Sequence, residues 1–118
     1  MPYPQFADKA THHFRTVLVQ AFHHAALHGT HFVTPLHLLV ALLGQTGSIG
    51  EEILRRAGVS KEMLAPFFGE IQNMPVAETP ALSPLAKRIV ERAVLSAAQG
   101  GHSYIGTEHL LASFLDVG

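Results

Sequence analysis

Apolar residues recur with helical spacing along most of this chain. Phe14, Val17, Leu18, Ala21, Ala25 and His28 follow an i, i+3, i+4 stripe, which predicts a first helix from near Ala7 or Asp8 to about His28. Gly29 stands where a left-handed residue stops a helix. Thr34-Pro35 is a helix start, with a side-chain acceptor at the cap and a proline where no donor is lost. The next stretch, Leu36 to Leu43, is apolar nearly all round and reads as a buried central rod, ended by Gly44 and Gly47. Ser48-Ile49-Gly50-Glu51 has capping-box spacing. It opens a short helix whose apolar face is Ile53, Leu54 and Ala57, before Gly58. Ser60 caps a fourth helix carrying Met63, Leu64, Phe67, Phe68 and Ile71. Pro66 lies inside that pattern at a cost of about 3 kcal/mol, so a kink or early break is expected there.

Past the proline-bearing stretch from Asn73 to Ala81, the pattern starts again. Ser83-Pro84 opens a helix with Leu85, Ile89, Val90, Ala93, Val94 and Ala97 on its stripe, stopped by Gly100-Gly101. Thr107 is placed to cap a sixth helix, with Glu108 in the first turn, where the helix dipole favours a carboxylate. Gly29-Thr30-His31-Phe32-Val33-Thr34-Pro35-Leu36-His37-Leu38-Leu39 returns, 72 residues later, as Gly101-His102-Ser103-Tyr104-Ile105-Gly106-Thr107-Glu108-His109-Leu110-Leu111. The expected architecture is therefore one all-α domain over residues 1–118, built from two pseudo-symmetric helical repeats. Repeat one spans about 6–72, a linker 73–81, and repeat two 82–118. The second copy is read as truncated, lacking counterparts of the third and fourth helices.

Composition narrows the function. The chain has 118 residues, enough to bury its own core, with 47% hydrophobic and only 14% charged. So apolar a balance assigns part of the surface to an interface. The formal charge of −1 and the scattered Lys and Arg make no basic face for a phosphate backbone. Arg55-Arg56 and Lys87-Arg88 read as solvated helix faces. There is no cysteine, no apolar run near the length of a membrane span, and no secretory pattern at Met1-Pro2-Tyr3-Pro4-Gln5. A soluble, cytoplasmic protein is the expectation.

Nine histidines invite a metal reading. His24 and His28 share a helix face and His31 follows, yet no carboxylate falls between the pair as in His-Glu-x-x-His. His37 and His109 occupy equivalent places, one turn into the central helices, with no nucleophile or acid–base partner repeated beside them. They are read as rings packed at the helix start and bonded to nearby backbone. No metal and no cofactor are expected. Phe67, Phe68 and Phe114 read as core, with Phe114 and Leu115 at risk of being left uncovered.

Ser83-Pro84-Leu85-Ala86-Lys87-Arg88 together with the Gly101–Leu111 string resembles the repeat of the Clp amino-terminal domain, which precedes the rings of the Clp AAA+ unfoldases. The first copy resembles it through Gly29, Thr34, His37-Leu38-Leu39, Ile53-Leu54 and Ala57-Gly58-Val59. The resemblance implies two helical repeats about a pseudo-twofold axis that bind substrates or adaptors for an ATPase. In some members paired pockets read phosphorylated arginine through a glutamate of the Gly-Thr-Glu-His segment. Here Glu108 keeps that position in the second copy, while Leu36 stands at the matching place in the first and cannot pair with a guanidinium.

The expected function is thus non-catalytic: a substrate- or adaptor-binding domain of, or accessory to, a Clp-type ATP-dependent unfoldase. The ATPase module would act in cis or in trans, since the chain has no Gly-x-x-x-x-Gly-Lys-[Ser/Thr] loop. Ser83, Lys87, Thr107 and Glu108 are the binding residues expected, in a groove between the copies where helix starts offer backbone donors. The partners expected are proteins, with no nucleic acid and no membrane, and the unfinished second copy leaves homodimer formation open. The alternatives are a histidine-rich metal-binding helical protein and a small helical nucleic-acid-binding protein.

Overall fold

The computed structural model describes residues 11–67, 80–101 and 104–117. It is all-α, with six α-helices and one 3-10 turn among those residues. They are α1 (His12–Leu27), α2 (Pro35–Leu43), α3 (Ile49–Arg56), α4 (Lys61–Leu64, continued as 3-10 over Ala65–Phe67), α5 (Pro84–Gln99) and α6 (Thr107–Val117). Two short strands, β1 (Phe32–Val33) and β2 (Ala81–Leu82), pair in parallel with Phe32 beside Ala81. Two residues carry no readable period, and this pairing was not foreseen. Among the described residues no helix is long and apolar enough to cross a membrane.

Local chemistry explains most boundaries. Thr11 is extended and its hydroxyl accepts from the Phe14 amide at 3.1 Å, so α1 starts at His12 rather than near Ala7 or Asp8. Positions 7–10 lie outside the described residues. Gly29 takes φ 68° just beyond α1, and Gly101 takes φ 74° beyond α5. Pro66 breaks α4, which tightens into 3-10 after Leu64. Phe68, Ile71 and positions 73–79 of the linker lie outside the described residues.

Helix α3 turns a different face inward from the one expected. Leu54 is buried, but Ile53 and Ala57 are exposed, and Gly50 and Glu51 point into the fold. The Ser48 hydroxyl accepts from the Glu51 amide at 3.2 Å, while Glu51 reaches past its own cap to accept from the Gly47 amide and from Arg55. Glu51 is held inside by these partners, and the helix rotates accordingly. In α5 the buried stripe is Ala86, Ile89, Val90, Ala93 and Ala97, with Leu85 exposed.

The core is continuous across both copies: Phe14, Val17, Val33, Leu38 and Leu42 from the first, Ile89, Ile105 and Leu110 from the second. Among the backbone bonds between them, two form an equivalent pair. The Ser83 amide donates to the Val33 carbonyl at 2.9 Å, and the Thr11 amide donates to the Ile105 carbonyl at 2.9 Å. Each pair is the other displaced by 72 residues with the halves exchanged, which is what a pseudo-twofold axis requires. Inside the second copy the Ser113 hydroxyl, 1% exposed, donates to the Ile89 carbonyl at 2.5 Å and ties α6 to α5.

Candidate functional site

The two central helices, α2 and α6, open in the same way. Thr34 is extended, Pro35 occupies the first turn, and the Thr34 amide donates to His37 Nδ1 at 2.9 Å. In α6 the Gly106 amide donates to His109 Nδ1 at 2.9 Å. Both rings are buried. The imidazoles act here as glutamine does in a capping box, taking up a backbone donor that a helix start leaves over.

Glu108 follows in the first turn of α6, partly buried. The Tyr104 hydroxyl donates to its Oε2 at 3.2 Å, and the Tyr104 ring tilts against that of His109 with centroids 5.5 Å apart. The carboxylate folds back over Gly106, and a Cβ at that glycine would collide with Oε1. The negative charge of Glu108, then the hydrogen bond, then slight desolvation hold the exposed Tyr104 phenol above its ordinary 10.0. At the matching first-copy positions stand Phe32, 53% exposed, and Leu36. One copy thus presents a phenol–carboxylate pair where the other presents two apolar side chains.

Thr107 corrects the expectation made for it. It is the first residue of α6, not its cap, and it is buried with its hydroxyl accepting from the Gly50 amide at 2.9 Å. Gly106 takes the cap position, with His109 Nδ1 as the acceptor. Ser83 does cap α5, its Oγ accepting from the Ala86 amide at 3.1 Å while its own amide goes to Val33. The helix-start donors at Ser83 and Gly106 are therefore used within the fold. Lys87 lies exposed one turn on. Among the described residues no hydrogen bond or ion pair joins Ser83 and Lys87 to Thr107 and Glu108. Tyr104 is the residue that sequence reasoning missed, although it stands four before Glu108 inside the repeated string.

Several histidines of the first copy, His23, His24 and His28, lie towards the end of α1, while His12 and His13 stand at its start. A ring nitrogen of His28, Nδ1, donates to the His24 carbonyl at 2.7 Å, and the His28 and His37 rings lie 6.3 Å apart. Burial first, then the charges of His23, His28 and Lys61, keep His24 below the ordinary 6.5. Burial, then His28 and His24, do the same to His37. Among the described residues no group of three or more His, Cys, Asp or Glu is placed to hold a metal ion. An open groove of about 510 Å³ runs along α5 and the end of α6, lined by Arg88, Glu91, Arg92, Leu95 and Asp116. An Arg92–Asp116 ion pair at 2.6 Å spans it. Leu115 beside it is 83% exposed, while Phe114 packs on the core.

Comparison with known proteins agrees on one family. The model of the Clp repeat (R) N-terminal domain matches residues 9–118. The ATP-binding subunit ClpA homolog of the Clp protease from Guillardia theta is 31% identical over 120 residues, covering 98% of this chain and 14% of that protein. The chain therefore spans about a seventh of that relative's length. The solved N-terminal domain of the ClpV1 ATPase from E. coli superposes with a TM-score of 0.78 at 20% identity, over 98% of this chain and 72% of that one. A ClpV N-domain in complex with a VipB peptide superposes at 0.75 with 22% identity, over 96% and 71%. At these identities the likeness of the solved structures is one of fold.

Proposed function

Because the chain belongs to the Clp repeat (R) N-terminal domain family, we propose that it is a non-catalytic docking domain, holding protein substrates or adaptors for a Clp-type unfoldase module supplied in cis or in trans. The ClpV N-domain seen with a VipB peptide supports a protein ligand rather than a small molecule. The observation that carries the reading is the unequal pair of faces at the two central helix starts. Tyr104 and Glu108 offer a hydrogen-bonded carboxylate, and Phe32 and Leu36 offer apolar surface at the equivalent place. An unfolded or loosely folded chain brings both basic and apolar side chains, so it fits a platform of this mixed character. Ser83 and Thr107 serve by holding the helix starts in place, with Glu108 and Lys87 as the ligand-facing groups. Recognition of a phosphorylated arginine by two equal pockets is not part of this proposal, because Leu36 supplies no carboxylate.

The test is titration of the chain with a fluorescently labelled, reduced and carboxymethylated protein, which stays unfolded. Saturable binding is expected, weakened several-fold in Glu108→Ala and in Phe32→Ser. Binding that neither variant changes, or none at all to an unfolded chain, overturns the reading.

A further inference from the structure

The two hydrogen bonds that open the central helices use an acceptor that acid removes. His37 Nδ1 takes the Thr34 amide and His109 Nδ1 takes the Gly106 amide, both at 2.9 Å. A ring nitrogen that accepts has its lone pair free, so each neutral ring carries its proton on Nε2. Adding a proton places hydrogen on Nδ1, facing the amide hydrogen, and the bond becomes a repulsion. The new charge also stands in the first turn of a helix, where the dipole disfavours cations. Both effects act in the same direction, and both act in each copy.

We propose that His37 and His109 form a paired acid-sensitive latch: neutral, each holds the first turn of its central helix closed, and protonated, each releases it. This does not depend on the docking reading. The groups around the first ring are two other imidazoles and a lysine: His28 at 6.3 Å, His24 behind it on α1, and Lys61 of α4 acting on His24. The Thr34 hydroxyl lies 2.9 Å from Nδ1. Around the second ring stand Tyr104 at 5.5 Å and the neighbouring Glu108, the one carboxylate in the two sets. Burial, then the charges of His28 and His24, oppose a charge on His37, so the latch of the first copy holds to lower pH than an ordinary imidazole would.

The sign follows from His37. Burial pulls its proton affinity below the ordinary 6.5, so the unfolded chain takes up the proton first. Stability is whole above pH 6.5 and declines as the pH falls below it, the unfolding constant rising up to about tenfold per pH unit for the His37 ring. The decline ends once the folded ring itself protonates.

The experiment is urea unfolding of the whole chain at about pH 7.5 and about pH 5, beside the double variant His37→Gln, His109→Gln. Glutamine accepts the same amide through Oε1 and does not titrate. The wild-type unfolding constant is expected to rise at least tenfold between the two conditions, and that of the double variant several-fold less, its remainder coming from the other histidines. An equal rise in both proteins overturns the proposal. Should the variant not fold, the wild type still decides by nuclear magnetic resonance. Both Nδ1 atoms should be unprotonated at neutral pH, and the Thr34 and Gly106 amides should lose exchange protection as their rings take up protons. Amides that stay protected beside charged rings overturn it as well.

Discussion

Gly50 and Thr107, far apart in sequence, meet so closely that the Gly50 amide donates to the Thr107 hydroxyl at 2.9 Å and a Cβ on the glycine would lie 3.0 Å from the threonine Cβ. This contact seats α3 of the first copy on the start of α6 in the second. Thr107→Val keeps the shape but leaves a buried amide without an acceptor, which should cost about 1–3 kcal/mol. Gly50→Ala should also destabilise, because Leu42 and the Thr107 backbone close the remaining space at 3.0 and 3.1 Å. Urea unfolding at neutral pH measures both, and a more stable Gly50→Ala protein would contradict the packing.

Leu38 and Leu110 are equivalent positions of the two copies, and both are fully buried. Each truncation to alanine should cost about 2–5 kcal/mol, with the spread set by how far the site can collapse. If the core is one continuous body, each variant should unfold in a single transition by circular dichroism and by tyrosine fluorescence alike. A two-step curve for either would show that the copies melt separately.

Glu108 holds the Tyr104 phenol above 10.0 through its charge and its hydrogen bond. Because the folded state keeps this proton longer than the unfolded chain does, the contribution is present below 10.0 and lost as the pH rises through the folded value. Glu108→Gln should lower the midpoint of phenolate absorbance towards 10.0. An unchanged midpoint would separate the two side chains.

Leu115 projects into solvent at 83% exposure beside the groove lined by Leu95 and Asp116. Leu115→Lys should leave stability within about 0.5 kcal/mol, as surface changes usually do. It should also lower any self-association seen by sedimentation, since it breaks the apolar surface there. A substantial loss of stability would place Leu115 in the core instead.

Much of the fold was written in local signals. Thr34-Pro35 and Ser83-Pro84 start helices where their chemistry says, and Gly29 and Gly101 adopt the left-handed backbone that ends α1 and α5. The rest depended on partners distant in sequence. Thr107 looked like a cap because threonine before an apolar run is one, but its hydroxyl is spent on Gly50 and a histidine takes over the capping. Helix α3 turned because Glu51 found the Gly47 amide and the exposed Arg55 as partners, which no hydrophobic count anticipates. At the candidate site Glu108 was legible through the family string alone. Tyr104 was missed because its bond runs from a loop into the following helix, where neither helical nor strand periodicity applies.

The crossed amides of Ser83 and Thr11 tether each half at the carbonyl of the other. Neither copy keeps a properly finished first helix by itself, since the carbonyl that receives its leading amide belongs to its twin. Damage in one half is therefore felt in the other. The unit that can be moved, inherited or grafted is the intertwined couple and not the single motif.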